Sequence, residues 1–495
     1  MQDKQNRPIA VSDNLIMLER GEEELLLVDP WTVEPLYIQK GRDYIKGLIR
    51  DAGRFDSREA LEKAFPGDGE LINTLIRHRI LVEEHPPKTE EPPFSLKSPQ
   101  KTNGMSLYLL LSQSCNLGCV YCLNGKKTYK TVDNLKMTED VAFKSVERSL
   151  ERLEPGGHLE IVFFGGEPLL NWPLVKKVIQ HCEDRLKPLH RDKQIKYHIT
   201  SNLSILPEDF LQWAGEHHIS VLCDVDGEPS VHDQCRPFKN GKPSHTFIAA
   251  NIEKLVQGGV DISLRATLTR INENKMMEIA RHHKSMGVRG CALVPLNPVN
   301  SDEELLDEQL VPDASVLIEG LEDVYRSGIW PSERLFPFSV YTNKVRPGNR
   351  ITMGCGAPHG NTPVVDVNGD VYPCIYLMGI QRFFLGNVLE KEWIDTSLLE
   401  QMKQNLFVDH LEDCKGCRWR YLCGGGCPVS RLTVLNNPDC TEKVRNYCSM
   451  INCAYTQKIL ELLFWELADA AGSTLKASSE PCDSVAMDAV QTVFC

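Results

Sequence analysis

Apolar and polar residues change rhythm near Leu107, where short apolar runs begin to alternate with longer helical patterns. Helical spacing is clear over 138–153 and 174–186. Strands that alternate with helices are typical of a parallel sheet. The pattern therefore predicts an α/β fold over residues 105–340, a partial (β/α)6 TIM-like barrel. Its predicted strands are 107–112, 159–164, 196–200, 220–224, 262–267 and 290–294.

Residues 1–85 have a different pattern, in which short strands surround short helices. Residues 56–59, Asp-Ser-Arg-Glu, place an acidic residue at a helix start, as a capping arrangement would. The arrangement predicts a small winged-helix-like domain. Its predicted strands and helices lie at 25–29, 36–38, 43–52, 70–77 and 80–82. Next comes a predicted linker over 86–104, which contains Pro86, Pro87, Pro92, Pro93 and Pro99.

The C-terminal third is marked by cysteines, which dominate residues 341–455. Apolar residues recur at helical spacing over 456–468, and residues 472–495 have only weak periodicity. We therefore expect a cysteine-rich domain that is followed by a C-terminal helix and tail. The sequence shows no internal repeat.

The composition limits the class of protein. The chain has 495 residues, of which 42% are hydrophobic and 25% are charged, as in globular proteins. No apolar run is long enough to cross a bilayer, and the N-terminus has no apolar signal region, so we expect a cytoplasmic protein without a membrane partner. The net charge of −13 argues against nucleic acid as a partner. Eighteen cysteines in a reducing compartment favour metal clusters over disulfides.

The most informative motif is a loop of three cysteines after the first predicted barrel strand. Cys115, Cys119 and Cys122 have C-x3-C-x2-C spacing. A cube of four irons normally takes four cysteine ligands, so three ligands from one loop leave one iron free for another molecule. The chemistry of a barrel lies at the C-terminal ends of its strands, which is where this loop lies. Spacing alone leaves open a structural zinc knuckle or three unrelated thiols.

The loop resembles that of radical S-adenosylmethionine enzymes, and Tyr121 stands where that family has an aromatic residue. The resemblance implies that the free iron holds the amino and carboxylate groups of S-adenosyl-L-methionine. It also implies a cofactor-binding role for the turn formed by Gly165, Gly166, Glu167 and Pro168, which follows the second strand. By itself such a turn is weak evidence, because glycine and proline mark turns everywhere.

Further candidates for cofactor binding follow the third, fourth and fifth strands. Ser201 and Asn202 suit a ribose or a carboxylate, or else form a helix cap or turn. Asp224 begins a segment, D-x-D-G-x-x-x-x-H-D-x-x-R, that resembles one of peptide-modifying members, where its position usually holds a small polar residue. Arg236 and Arg265 have guanidinium groups that match a carboxylate, or they form surface salt bridges.

A second field of cysteines resembles the SPASM domain, which carries auxiliary iron–sulfur clusters in radical enzymes that act on peptides and proteins. The resemblance assigns Cys414, Cys417, Cys423 and Cys448 to an outer cluster. It assigns Cys355, Cys374 and Cys427 to an inner cluster, for which the sequence offers no clear fourth ligand. Cys440 and Cys453 are rivals to Cys448. A zinc ribbon also fits part of the spacing. We thus expect three [4Fe-4S] clusters.

The remaining cysteines fit no ligand pattern. We expect the internal ones to be buried free thiols. This set comprises Cys182, Cys223, Cys235 and Cys291, together with Cys482 and Cys495 in the tail.

The resemblance implies a peptide-modifying maturase that joins a cysteine sulfur to a side-chain carbon in a thioether. Sactipeptide synthases and the maturase of the quinohemoprotein amine dehydrogenase small subunit are the suggested relatives. The implied partners are a peptide or small protein substrate, which the N-terminal domain binds by adding a strand to a sheet edge, and an electron donor such as flavodoxin or ferredoxin. The alternatives are an anaerobic sulfatase-maturing enzyme that forms formylglycine, and a non-catalytic iron–sulfur or zinc scaffold.

Overall fold

The computed structural model describes residues 8–83, 101–122, 136–300, 304–347, 350–435, 437–476 and 490–492. The predicted N-terminal strands and helices are confirmed to within one residue, and α2 begins at the predicted cap, where Ser57 Oγ accepts a hydrogen bond from Ala60 N at 3.2 Å. The elements are β1 (Ala10–Val11), β2 (Ile16–Arg20), β3 (Glu24–Val28), β4 (Leu36–Ile38), α1 (Arg42–Ala52), α2 (Arg58–Ala64), α3 (Gly69–Arg77) and β5 (Leu81–Val82).

The N-terminal sheet lies between two hydrophobic cores. Leu25 and Leu27 of β3 pack into a small core with residues of α1, α2 and α3. Leu26 and Val28, the alternate residues, pack into the large core of the protein. Successive side chains of a strand point to opposite faces, so each face of the sheet serves one core. The N-terminal unit is therefore packed firmly against the rest of the chain.

The barrel strands form part of a ten-stranded sheet, and all of them are parallel. The strand at 220–224 is confirmed residue for residue. The barrel comprises β6 (Thr102–Ser112), α4 (Glu139–Glu151), β7 (Leu153–Gly165), α5 (Trp172–His181), α6 (Lys187–Leu189), β8 (Gln194–Ser201), α7 (Phe210–His217), β9 (Ser220–Asp224), α8 (Pro229–Cys235), α9 (His245–Gln257), β10 (Ile262–Leu268), α10 (Met276–Ser285) and β11 (Gly290–Pro295).

Several predicted boundaries differ from the structure. The second barrel strand, predicted over 159–164, is β7 and begins at Leu153, where the sequence predicted the end of a helix. The first barrel strand begins at Thr102, inside the predicted linker, because the residues after 101 pair with β7. Most of the predicted linker lies outside the described residues. The helix predicted over 174–186 divides into α5 and a π-helical turn, Cys182–Leu186.

The cysteine-rich region continues the barrel sheet, in addition to packing against it. Val364 pairs in parallel with Tyr108 of β6, and two antiparallel strands follow at that edge. The region after the barrel comprises α11 (Ala314–Arg326), β12 (Leu335–Phe336), α12 (Phe338–Tyr341), β13 (Val364–Val365), β14 (Asp370–Tyr372), β15 (Gly386–Asn387), α13 (Thr396–Leu406), α14 (Arg420–Cys423), α15 (Pro428–Ser430) and α16 (Glu442–Met450). This sheet edge holds the second cysteine field beside the mouth of the barrel.

The C-terminal helix α17 (Thr456–Lys476) is longer than predicted and lies against the N-terminal sheet. The ring of Trp465 meets that of Tyr37 edge to face, with 6.2 Å between centroids. The guanidinium of Arg20 lies 4.3 Å above the centre of the Trp465 ring. In the tail, which has only weak periodicity, the strand β16 (Val490–Thr492) pairs with β4.

Short helical turns connect these elements. Among the described residues, no helix has both the length and the apolar character needed to span a membrane. The 3-10 turns are Pro168–Asn171, Glu273–Lys275, Glu308–Leu310, Ser332–Arg334, Ala357–His359 and Gln381–Phe383, and two further π-helical turns are Arg431–Leu435 and Ile451–Tyr455.

Candidate active site

The three-cysteine loop lies at the mouth of the barrel, where its thiols line one cavity. Cys115 and Cys119 are half-buried and Cys122 is exposed. Asn202 Nδ2 donates to Cys115 Sγ at 3.6 Å, and Arg236 Nη1 donates to Cys119 Sγ at 3.8 Å. Donors of this kind stabilise thiolates, which are the form that binds iron. The chemistry of these side chains therefore fits an iron–sulfur cluster.

The predicted glycine turn holds the cysteine loop by close backbone contact. Gly166 N donates to Ser112 O at 2.7 Å, and Glu167 N donates to Ser114 O at 2.9 Å. A Cβ atom on Gly165 would lie 2.5 Å from Ser112 O, and the φ angle there is +147°. The turn needs glycine because the backbone of the first strand passes directly against it.

Replacing Gly166 by alanine is expected to displace the cysteine loop. The added Cβ would meet Ser114 O at 2.5 Å, and that oxygen belongs to the backbone, so the loop must shift. We expect a loss of about 1–3 kcal/mol of stability and reduced iron retention by the barrel loop. Iron analysis and urea unfolding measure both effects. Gly215→Ala is the control, since its Cβ would meet no atom within 4 Å; equal behaviour of the two variants would contradict this role.

Glu167 is wholly buried and organises the neighbouring strand end. Its Oε1 accepts from Ser201 Oγ at 2.8 Å, and its Oε2 accepts from Asn202 N at 2.8 Å. Burial raises the pKa of Glu167 to about 7, against the lowering effect of these hydrogen bonds and one from Leu169 N. The carboxylate thus fixes both predicted residues of the third strand in the cavity wall.

Arg236 and Arg265 belong to an ion network inside the protein. They do not form the surface salt bridges that the sequence left open. Both of them bond Asp224, at 3.1 Å for Arg236 Nη1 and 2.6 Å for Arg265 Nε. Arg236 Nε also bonds Asp226 at 3.0 Å, and the Tyr121 hydroxyl donates to Asp226. Burial opposes ionisation of Asp224, but the two arginines lower its pKa to about 2. A charge-balanced cluster therefore stands beside Cys119.

The cavity joins the barrel mouth to the second cysteine field. Its wall includes Gly165 and Gly166 from the turn and Thr267 from β10. On the other side it includes Ile375 and Tyr376, which directly follow Cys374. The cavity therefore extends from the three-cysteine loop to the residues that follow Cys374 of the second cysteine field. The predicted cofactor residues in its wall are Gly165, Gly166, Ser201, Asn202, Asp224, Arg236 and Arg265, while Glu167 and Pro168 lie behind it.

The inner cysteines come together in the fold. The thiols of Cys355 and Cys427 both contribute, after burial, to the raised pKa of Cys374. Burial likewise raises the pKa of Cys355 to about 11, with Cys427 adding to it and Lys344 opposing it. The three side chains predicted for the inner cluster therefore interact electrostatically with one another, and Lys344 interacts with Cys355.

Cys453, the rival of Cys448 in the sequence assignment, interacts electrostatically with the outer cysteines. Cys414 has Cys423 and Cys453 as its thiol neighbours, and Cys453 in turn has Cys417. Arg431 Nη2 donates to Cys414 Sγ at 3.5 Å. These electrostatic interactions make Cys453 a candidate for the outer group beside Cys414, Cys417 and Cys423.

Cys448 lies apart from that group. Burial raises its pKa to about 12, and the thiols that add to this effect are Cys427 and Cys440. None of these contributions comes from Cys414, Cys417 or Cys423, so Cys453 is the stronger candidate for the outer group.

Among the described residues, no group of three or more His, Cys, Asp or Glu side chains lies close enough together to bind one metal ion. An iron–sulfur cube is wider than one ion, so its ligands stand further apart. The predicted buried free thiols are confirmed for Cys182, Cys223, Cys235 and Cys291, whereas Cys482 and Cys495 lie outside the described residues.

Three contributors to the site were not assigned from sequence. Asp226 lies inside the segment that begins at Asp224, so the motif itself was a usable signal. Tyr376 follows Cys374 by two residues, which hints at the cavity wall. Arg431 has no local signal, because its partner Cys414 is distant in the sequence.

The three-thiol loop and most of the barrel behind it lie in a segment that matches a known protein family. Residues 109–283 match the model of the Radical SAM superfamily. The matched segment contains the three-cysteine loop and most of the barrel, and radical SAM proteins use S-adenosylmethionine and a [4Fe-4S] cluster.

Peptide- and protein-modifying enzymes are among the relatives of this chain. A cysteine-type anaerobic sulfatase-maturating enzyme of Clostridium perfringens is 23% identical over 330 residues, which are 64% of this chain and 86% of the relative. The radical SAM cyclopropyl synthase TigE of Paramaledivibacter caminithermalis is 25% identical over 242 residues, 45% of this chain and 47% of the relative.

A solved structure has the same fold. The protein anSMEcpe, solved with bound AdoMet and the Cp18Cys peptide, has a TM-score of 0.59 and 20% identity, and the match covers 74% of this chain and 99% of that one. The predicted radical SAM barrel with a SPASM-type C-terminal region is thereby confirmed as the fold class.

Proposed function

We propose that this enzyme is a maturase that forms thioether crosslinks in a peptide or small protein, with three [4Fe-4S] clusters. The observation that carries the proposal is the shared cavity. Ile375 and Tyr376, next to the inner cysteine Cys374, face the same cavity as the thiols of the barrel loop. A substrate side chain in this cavity lies between the site of radical formation and a set of soft thiol ligands.

Two parts of the site have distinct tasks in this proposal. When bound, the cluster and S-adenosylmethionine supply a carbon radical that removes a hydrogen atom from the substrate. Glu167 fixes Ser201 and Asn202 in the wall that faces the cofactor. Asp224 orients Arg236 and Arg265, whose guanidinium groups suit the cofactor carboxylate. Held this way, the arginines present their charge without reorganisation on binding.

The N-terminal unit is the proposed peptide-recognition domain. Its sheet packs on α17 through Tyr37, and the loop after β3 places Trp31 against Tyr421, with 5.4 Å between ring centroids. Arg350 lies between these two rings, 3.4 Å from the centre of Trp31. A peptide bound to this sheet is therefore held at a fixed position relative to the cysteine-rich region. A flavodoxin or ferredoxin is the proposed electron donor, and a reducing cytoplasm is the proposed compartment.

Formylglycine formation is the second candidate. It is favoured by the likeness to the sulfatase-maturating enzyme and to anSMEcpe, whose solved structure contains a peptide. In both candidates the substrate is a peptide or protein. They differ in the fate of the cysteine sulfur, which a thioether retains and formylglycine loses.

Mass measurement of a modified partner separates the two. This enzyme would be co-expressed anaerobically with a cysteine-containing peptide encoded beside its gene, and the peptide analysed by high-resolution mass spectrometry. A thioether makes the peptide lighter by a pair of hydrogen atoms per crosslink and protects one thiol from alkylation. Loss of sulfur, or an unchanged mass while the cofactor is consumed, would contradict the thioether proposal. The Cys115→Ala variant is the inactive control.

The iron content tests the proposed auxiliary clusters. Anaerobic reconstitution is expected to give about twelve irons per chain, from clusters of four irons each. Cys453→Ala is expected to lose about four of them, because Cys453 lies with Cys417 and Cys414. Cys448→Ala, the matched control, is expected to retain them. Loss of iron from the Cys448 variant alone would instead support the sequence assignment.

A further inference from the structure

The C-terminal tail supplies the outermost strand of the N-terminal sheet. Val490 pairs with Ile38, Gln491 with Tyr37 and Thr492 with Leu36, in an antiparallel ladder. The sheet order is β16-β4-β3-β2, so the tail strand occupies an edge. The two paired strands are more than 450 positions apart in the sequence, and the contact is thus made only when the chain has folded.

The sheet edge that the tail covers, strand β4, has no charged residue that would disfavour pairing with a further strand. The strand β4 consists of Leu36, Tyr37 and Ile38, all buried and none charged. At the opposite edge, β2 carries Glu19 and Arg20, which form ion pairs. Charged side chains blunt a sheet edge against further strands, whereas an uncharged edge is a template for one. Without the tail, the backbone of β4 is open to an added strand.

The tail is a weak occupant of that edge. The strand is three residues long. Each backbone hydrogen bond contributes little net stability, because water replaces it when it breaks. A longer extended peptide makes the same ladder with more bonds. The tail nevertheless has one advantage, since its attachment to the chain raises its effective concentration at the edge.

We propose that Val490–Thr492 is a built-in competitor that holds the outer edge of β4 in the free enzyme and gives the edge up to an extended segment of the peptide substrate. The inference rests on the proposed peptide-recognition role of the N-terminal unit. The occupant is chemically defined as an extended segment without proline at the paired positions, because proline lacks the N–H that the ladder uses. Peptide substrates that lack such a segment leave the tail in place.

The probe for the test is the tail itself, as a fluorescent synthetic peptide of residues 486–494. Its binding would be compared on the full chain and on a chain that ends at Lys476. The shortened chain is expected to bind the probe at least about tenfold more tightly, because the tethered competitor has been removed. A probe with Val490→Pro and Gln491→Pro is the control and is expected to lose binding, since alternate N–H groups of a strand face its partner. Equal binding to both chains, or no binding to either, would overturn the proposal.

A second measurement uses the full-length protein. The full chain with Val490→Pro and Gln491→Pro is expected to show faster amide hydrogen exchange at Leu36–Ile38, with its melting temperature little changed. A large fall in melting temperature would overturn the proposal in favour of a permanent structural strand. Dimers of the full chain that disappear on truncation would assign the strand to a second copy, which also overturns it. Since neither assay uses the cofactor, failure of the crosslinking function leaves these readouts unaffected.

Discussion

Replacement of Arg236 by methionine is expected to lower the free energy of unfolding by about 3–5 kcal/mol, the range for breaking one partner out of a buried ion pair. Arg236 is buried between Asp224 and Asp226 and bonds both of them. Its removal leaves Asp226, which is wholly buried, without a cationic partner. The cysteine loop loses a donor as well, because Arg236 Nη1 bonds Cys119 Sγ. We therefore expect 5′-deoxyadenosine formation to fall to background.

Urea unfolding of the iron-free chain and anaerobic cofactor turnover measure these two effects separately. The control is Arg289→Met, since Arg289 forms an ion pair with Asp261 that is exposed on both sides, and such pairs contribute little. Arg236→Lys is expected to recover part of the stability but not the forked contact with both aspartates. An Arg236→Met enzyme with normal stability would show that the network is not structurally required.

Conversion of Cys115, Cys119 and Cys122 together to alanine is expected to abolish cleavage of S-adenosylmethionine. The variant should lose about four irons and retain the remainder, since the second cysteine field lies on other elements, beyond the shared cavity. The two groups that contact these thiols, Asn202 Nδ2 and Arg236 Nη1, are N–H donors and do not supply the soft ligand that is lost.

Iron analysis and chromatography of 5′-deoxyadenosine check this result. A variant with Cys182→Ala and Cys291→Ala, both buried away from the cavity, is the matched control and is expected to retain iron and turnover. Residual cofactor cleavage by the triple variant would place the radical chemistry elsewhere in the chain.

Elements with a strong local pattern could be predicted from the sequence. The strand Ser220–Asp224 was found residue for residue, because its apolar residues form a buried run between clear helices. The glycine turn was also recognised, since Gly165 and Gly166 are needed wherever two backbones approach closely. Both features depend on residues that are close together in the sequence.

Features that depend on distant contacts could not be predicted. Asp224 was assigned to cofactor binding, and only the fold reveals that two arginines from different elements share its carboxylate. The family resemblance favoured Cys448 as the outer ligand, whereas the thiol of its rival Cys453 interacts electrostatically with Cys417, which no local pattern signals. The pairing of the tail with β4 has no sequence signal at all, because a strand of three residues has too short a pattern.

A radical formed at the barrel mouth is expected to remove a hydrogen atom from a peptide. Transfer of deuterium from the peptide to 5′-deoxyadenosine measures this step. The partner peptide would be produced with deuterium on its carbon atoms and incubated in ordinary water with the reduced enzyme and S-adenosylmethionine. If the radical removes a hydrogen atom from the peptide, the 5′-deoxyadenosine carries one deuterium atom. The peptide has then lost deuterium from the modified carbon. A modified peptide accompanied only by deuterium-free 5′-deoxyadenosine would contradict the account.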